Sequence, residues 1–545
     1  MPSIKRIAAA AAAAIVAFSA LATTSFADEP YTGYNYDWWG DPVPSQNGYV
    51  VDKVVSGVDL GIGALTEPSD MFFSDNEELF IVDTSYKDAN NSALKGRIVI
   101  TDSRIKEVRG IIRQLDFSGA KNWLNKREEA KNNGSLSESD YNKTTNIYFN
   151  GPTGVFVDRD NVIYVADKDN DRVVSMTYDG NSEGIAKVIT VYTRPNADVY
   201  DPSTTFNPSK VLVDAAGNVY ICIKSITKGA CVFAKEGDFS GYFGANRVEQ
   251  TAEVILNAFW KLIFSREQIA AMRRSVPVEI SNFDIDSDNF VYTVTESKSA
   301  NTDVLKKLNS AGTNIFTNLG YSDYTFGDFL TKYYRGQTYS SQITDVDIGP
   351  SGEINLLDLR TGRVFQYDDE CNLLFIFGGI GAQKGTFTIV NAVESLGTDV
   401  YVLDGRKCSI TIFKQTEFGS IVHEAIALFN KGKYDEALQP WEEVIRRDSN
   451  YWLAYIGIGN AYLNKGEYET AMKYFYYNSR TGYNDAFKGW RMDFIRDNFT
   501  LFAVIILVLL MLIYVISSIR QRQRIKKRME AEKLYKEQQK KKGED

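Results

Sequence analysis

The chain has 545 residues, too many for a single hydrophobic core, so two or more domains are expected. Its hydrophobic content of 44% excludes general disorder, and 31 Phe with 32 Tyr suit β-structure. The net charge of −9 is unevenly spread: residues 520–545 carry +6 and Lys5 with Arg6 add +2, which leaves −17 between them and argues against nucleic acid as a partner.

At the N-terminus, Lys5 and Arg6 precede an Ala-rich apolar run, Ile7 to Leu21, and Ser25-Phe26-Ala27 fits a small-x-small cleavage site. Residues 1–27 therefore read as a secretory signal peptide, with an uncleaved anchor as the alternative, and 28–46 as a linker. Gly48 to Ile62 reads as an opening strand or two, expected to complete a last blade and close a ring.

A repeated unit follows. Six positions sit at the heart of a second strand: Phe80, Tyr164, Tyr220, Tyr292, Asn355 and Tyr401. Ten residues before them lie Asp70, Gly154, Lys210, Asn282, Asp345 and Asn391. The residue before each of these is Ser69, Thr153, Ser209, Ser281, Thr344 and Val390, a β-hydroxyl in five of six. The residue after is Met71, Val155, Val211, Phe283, Val346 and Ala392, all apolar. Two further on stand Phe73, Val157, Val213, Ile285 and Ile348, with Glu394 the exception; the alternation is that of half-buried strands. Recurring β-units of this kind predict a propeller, and six copies predict six blades. The uneven spacing places an insertion at Asp116 to Asn146, helical around Ala120 to Asn132, and a larger helical one at 241–276, with helices at Thr251 to Leu262 and Ser265 to Ser275. The apolar face of the larger one either packs on the propeller or docks a partner.

Tyr164-Val165-Ala166-Asp167, followed by Asn170 and Arg172-Val173, and the loop Phe377 to Phe387 (FGGIGAQKGTF) resemble the NHL-repeat propellers of the gluconolactonase-like superfamily. The resemblance covers about 48–413 and implies an all-β six-bladed propeller over residues 47–416. The Gly-rich loop joins strand to strand, so a phosphate-binding reading finds no helix N-terminus to support it.

Near Phe418 the period changes from two to 3.6. Gly432, Tyr434, Ala437 and Trp441 recur 34 residues on as Gly466, Tyr468, Ala471 and Phe475. Ile421 to Asn478 thus resembles two tetratricopeptide repeats, which implies an α-helical module over 417–498 that binds peptide or serves as a stalk. Phe499 to Ile519 holds no charge and is long enough to cross a bilayer as one helix. Basic residues from Arg520 to Arg528 follow at once. The positive-inside rule then places 520–545 in the cytoplasm and the N-terminal ectodomain outside, as a single-pass protein of a bacterial cell membrane.

Four cysteines, Cys222, Cys231, Cys371 and Cys408, leave three disulfide pairings or four buried thiols open, with a Cys222–Cys231 bridge conceivable. The single histidine, His423, falls in the helical module and reads as a packing or surface residue. That removes His-based triads and His-ligated metals from the propeller. In a propeller the starts of the inner strands converge on the channel, which gathers Asp70, Lys210, Asn282, Asp345 and Asn391 as a candidate ligand site. Asp70, Asn282, Asp345 and Asn391 are candidate metal ligands, as the resemblance to metal-binding propellers implies, with Ca²⁺ the fitting ion. Lys210 counts against an ion, and a solvated channel mouth is the plainer reading.

The function expected is that of a membrane-anchored scaffold or recognition protein for a protein or carbohydrate-related partner, accessory to a solute uptake system by resemblance. The alternative is a metal-dependent, lactonase-like hydrolase at the channel mouth.

Overall fold

The computed structural model describes residues 30–37, 40–88, 91–201, 204–246, 278–296, 304–316, 326–328, 332–334, 337–339 and 341–541. The signal peptide and the helices expected within 251–275 lie outside the described residues. Two compact units form: residues up to 431 together with 443–451, and residues 432–442 together with 452 onward.

The first unit is a six-bladed β-propeller. Blade 1 runs Pro68–Phe73, Glu78–Lys87, Lys95–Asp102 and Val108–Ile112 from axis to rim. Blade 2 runs Pro152–Val157, Ile163–Asp167, Arg172–Thr177 and Ile185–Thr193, with Gln114–Asp116 added in parallel at its edge. Blade 3 runs Pro208–Val213, Val219–Ile223, Gly229–Phe233 and Phe239–Gly244. Blade 4 shows three strands among the described residues, Asn282–Ile285, Val291–Val294 and Leu305–Leu308. Blade 5 runs Ile343–Ile348, Ile354–Asp358, Arg363–Tyr367 and Leu373–Gly378. Blade 6 takes Val390–Leu396, Asp399–Asp404 and Ser409–Gln415 from one end of the propeller sequence and its fourth strand, Tyr49–Ser56, from the other. Each inner strand lies against the next, and that of blade 6 lies against that of blade 1, so the circle closes.

Strands buried on both faces read as continuous apolar runs, and Val219–Ile223 (VYICI) and Leu373–Gly378 (LLFIFG) are buried at every position. The turn after each inner strand contains a residue in the left-handed region: Glu77, Asn161, Gly217, Asn289, Gly352 and Gly397. Asn and Gly tolerate that conformation, which is why Asp, Asn and Gly punctuate the repeat.

The insertion before blade 2 holds the expected helix, Lys121–Asn132, and a second one, Glu138–Thr144, that the sequence pattern did not indicate. Residues 241–244, assigned to the larger insertion on sequence, instead complete the outer strand of blade 3, because Gly229 to Val232 pair with Gly244 to Gly241. Helix Glu417–Asn430 also belongs to the first unit; its N-cap, Thr416, accepts from Gly419 N–H.

The four cysteines are free thiols. Cys222 and Cys231 are buried and Cys371 and Cys408 half-buried. Cys231 stands opposite Ile221 rather than Cys222, so neighbouring residues along the strand turn the two thiols to different faces.

The second unit is helical, with Trp452–Lys465 packed against Tyr468–Phe475 and the latter against Arg480–Asp497. A Cβ on Gly457 would strike the Trp441 indole, and one on Gly459 would lie 2.5 Å from the Phe475 ring. Ala437, Ala471 and Phe475 are fully buried, and Gly432 and Gly466 both adopt left-handed φ, +73° and +78°. Helix Phe499–Lys541 contains a segment long and apolar enough to cross a membrane, none of it buried.

Candidate functional site

Each inner strand of blades 1, 2, 3, 5 and 6 carries a β-bulge near its start, where register with the second strand slips by one residue. The residue skipped is Ser69, Thr153, Ser209, Thr344 or Asn391. Their side chains bond main-chain carbonyls, several on the next blade: Ser69 Oγ donates to Thr153 O at 3.2 Å, Thr153 Oγ1 to Pro208 O at 3.2 Å, and Asn391 Nδ2 to Pro68 O at 2.7 Å. The hydroxyl signature of the repeat therefore stitches the bulges and seams between blades.

This register corrects one expected site residue. In five blades, paired residues flanking the first turn are six apart, as Val157 and Ile163 are. In blade 6 the equivalent pair is five apart, Ser395 and Val400, and pairing continues to Leu396 and Asp399 around a two-residue Gly397-Thr398 turn. Stepping back ten from Tyr401 thus lands one residue early. Asn391 is the bulge residue, Ala392 occupies the ring position, and Glu394 stands where Phe72, Phe156, Leu212, Asp284 and Asp347 stand in the other blades.

The other predicted residues do converge. Asp70, Lys210, Asn282 and Asp345 line one small axial cavity of about 20 Å³, with Asp284 and Glu394 below them. That volume suits roughly one water. Lys210 Nζ pairs with Asp70 Oδ1, and Asn282 Nδ2 donates to Asp345 Oδ1. The remaining carboxylate oxygens accept from inner strands of other blades: Val155 N–H to Asp70 Oδ2 at 2.9 Å, and Val393 N–H to Asp345 Oδ2 at 2.7 Å. A deeper tier repeats the pattern, with Ile348 N–H donating to Asp284 at 2.7 Å and Ser395 N–H to Asp347 at 3.1 Å. At Gly154 the missing side chain leaves room for Ser209 O, which would lie 2.7 Å from a Cβ.

Asp284, Asp347 and Glu394 escaped the sequence reading. Glu394 announced itself only by breaking the apolar alternation, and Asp284 and Asp347 sit two residues beyond the ring positions, on the same face of their strands. Together with Asp70 and Asp345 they put five carboxyl groups beside one lysine. Burial pushes Asp345 up to about 7 and Asp347 up to about 6. Burial, with repulsion from Asp347, raises Asp284 and Glu394 well above the carboxylate range. Asp70 is also raised by burial, against the pull of Lys210. Burial alone would lower Lys210, but Asp70 and Asp345 hold it above its ordinary value. Burial and mutual repulsion thus favour the protonated form of acids along the axis. No three His, Cys, Asp or Glu residues form a metal-binding group among the described residues.

No family model matches the chain, and no curated protein matches it significantly. Among solved structures it is similar to a streptogramin B lyase (10% identity, 72% of this chain and 95% of that one, TM-score 0.35) and a virginiamycin B lyase from Staphylococcus aureus with quinupristin (10%, 67% and 99%, 0.34). It is also similar to a putative gluconolactonase (8%, 71% and 98%, 0.34).

Proposed function

We propose that the protein is a membrane-anchored, extracytoplasmic scaffold or recognition protein that binds a protein or carbohydrate-related partner, in keeping with its resemblance to NHL and tetratricopeptide proteins and with a role beside a solute uptake system. The observation that carries this reading is the state of the axial residues: Asp70, Lys210, Asn282 and Asp345 spend their polar groups on one another and on neighbouring strands. Lys210 holds the place beside Asp70 where a cation would otherwise be drawn. The unburied apolar helix supports membrane attachment, and the Arg520 to Arg528 flank supports a cytoplasmic tail.

The hydrolase reading requires Asp70, Asn282 and Asp345 to open around Ca²⁺; Asn391, turned to Pro68 O, would not join them. The test uses the full-length protein in detergent. Metal content is measured and lactone hydrolysis is assayed with and without chelator. Stoichiometric Ca²⁺ together with hydrolysis abolished by Asp345→Ala would overturn the binding reading. A metal-free, inert protein that cross-links to a discrete membrane partner would support it.

A further inference from the structure

Blade 5 departs from the other blades along one row. Where the others place an aromatic residue at the heart of the second strand, it has Asn355, and beside Asn355 on the third strand stands Gln366. Both are buried, each 1% exposed. Asp347 begins the row at the axis and accepts from Asn355 Nδ2 at 2.8 Å. Asn355 Oδ1 accepts from Gln366 Nε2 at 2.9 Å, and the same nitrogen donates to the Tyr49 hydroxyl at 2.9 Å. Gln366 Oε1 faces His423 Nε2 at 2.9 Å, and His423 Nδ1 faces Gln415 Nε2 at 2.6 Å.

The direction of every bond is set at the axial end. An ionised carboxylate only accepts, so Asn355 presents its oxygen outward, Gln366 presents its oxygen to the histidine, and His423 carries its proton on Nε2. Nδ1 is then the acceptor for Gln415, with Glu353 Oε1 3.7 Å away. Burial lowers the His423 pKa, against the pull of Glu353, which keeps the ring neutral.

This row forms the floor of a second cavity, of about 290 Å³, between the first turns of blades 5 and 6 and helix Glu417–Asn430. Its volume is on the order of ten waters. The walls and rim hold the carboxylates of Glu353, Asp399 and Glu424, and among the described residues no Lys or Arg lines it. Asp399 is partly offset by Lys414, while among the described residues no Lys or Arg forms an ion pair with Glu353 or Glu424. The carboxylates do not gather as a metal-binding group among the described residues, so the charge is spread around the cavity.

We propose that this lateral cavity is a binding site for a small organic cation, a primary amine or diamine, held by Glu353 and Glu424 over the polar floor of Tyr49, Gln366 and His423. Carboxylates spread around a cavity suit a ligand whose positive charges are likewise separated, and a floor that is already hydrogen-bonded holds its shape without the ligand. The site is separate from the axial one and does not depend on which function the axial residues serve.

The test is calorimetric titration of the full-length protein in detergent with putrescine, and with glucose as the neutral polyol. Saturable one-to-one putrescine binding is expected, weakened tenfold or more by Glu353→Gln and by Glu424→Gln at an unchanged melting temperature. Glu424 is exposed at the rim, so its variant folds even if Glu353→Gln does not. Absence of saturable putrescine binding overturns the proposal, as does putrescine binding that survives both substitutions or glucose binding in its place.

Discussion

Asp167 shows how one residue of the repeat works. It ends the second strand of blade 2, wholly buried, and accepts from Asn150 N–H at 2.8 Å, which pins the chain as it enters the blade. Arg172 neutralises it at 2.8 Å and donates onward to Thr144 O and Tyr148 O. Asp83, Asp358 and Asp404 hold Thr66, Gln342 and Thr388 in the same way. Arg172→Ala leaves a buried carboxylate unpaired and is expected to cost about 3–5 kcal/mol in denaturant unfolding. The axial acids carry a prediction of opposite character. Asp345 and Asp347, near 7 and 6, titrate near 4 in the unfolded chain, so between those values the folded state binds more protons. Their contribution is present in full below about pH 4 and is lost as pH rises through 6 to 7. His423, lowered by burial, titrates in the opposite sense, so the comparison must be made against a variant. Glu394→Gln is expected to melt higher than the parent at pH 8 and level with it at pH 5; equal melting points at both would show that the acids do not repel. The repeat brought Asp345 together with Asp70, Lys210 and Asn282, but Asp347 and Glu394 could not be added from sequence, since their place depends on strand register.

Strands and their turns were far more legible than the site. The period-two alternation located each inner strand, and the aromatic position located its partner, because both follow from burial on a sheet face. What failed was the count in blade 6. A two-residue turn there replaces the longer turn of the other blades, and a one-residue difference moves Asn391 out of the ring and Glu394 into it. Turn length is a local choice that the repeat pattern does not constrain. The β-hydroxyl signature was likewise visible but unexplained, since its purpose, bonding across blade seams, exists only in the closed ring. The seam between blades 2 and 3 offers the element-level test. A Cβ at Gly154 would lie 2.7 Å from Ser209 O and 3.0 Å from Lys210 Cα, both main chain. Gly154→Ala should force the inner strands apart and destabilise the propeller by about 1–3 kcal/mol, read as a shift of the denaturation midpoint. A neutral substitution would mean that the seam gives way freely.

Closure of the ring joins residues more than 350 positions apart, and it was legible because an unpaired strand of suitable pattern preceded the first repeat. Tyr49–Ser56 pairs along Ser409–Gln415 and supplies the outer strand of blade 6. Tyr49 adds more than main-chain bonds. Its ring stacks on Phe377 of blade 5 at 4.6 Å, its carbonyl accepts from the Tyr31 hydroxyl at 2.9 Å, and its own hydroxyl accepts from buried Gln366. One residue thus ties the closing strand to the neighbouring blade and to the row that ends at Asp347. Removing the strand would expose the edge of Ser409–Gln415 and leave Gln366 with a buried donor short of a partner, so the damage should spread through the first unit rather than stay in blade 6. Tyr49→Phe isolates the polar half of this link: it keeps the stacking and deletes the acceptor. The expected result is a loss of about 1–3 kcal/mol, with hydrogen exchange accelerated in both blade 5 and blade 6. Acceleration confined to blade 6 would show that the closing strand and the polar row act independently, and that main-chain pairing alone holds the circle.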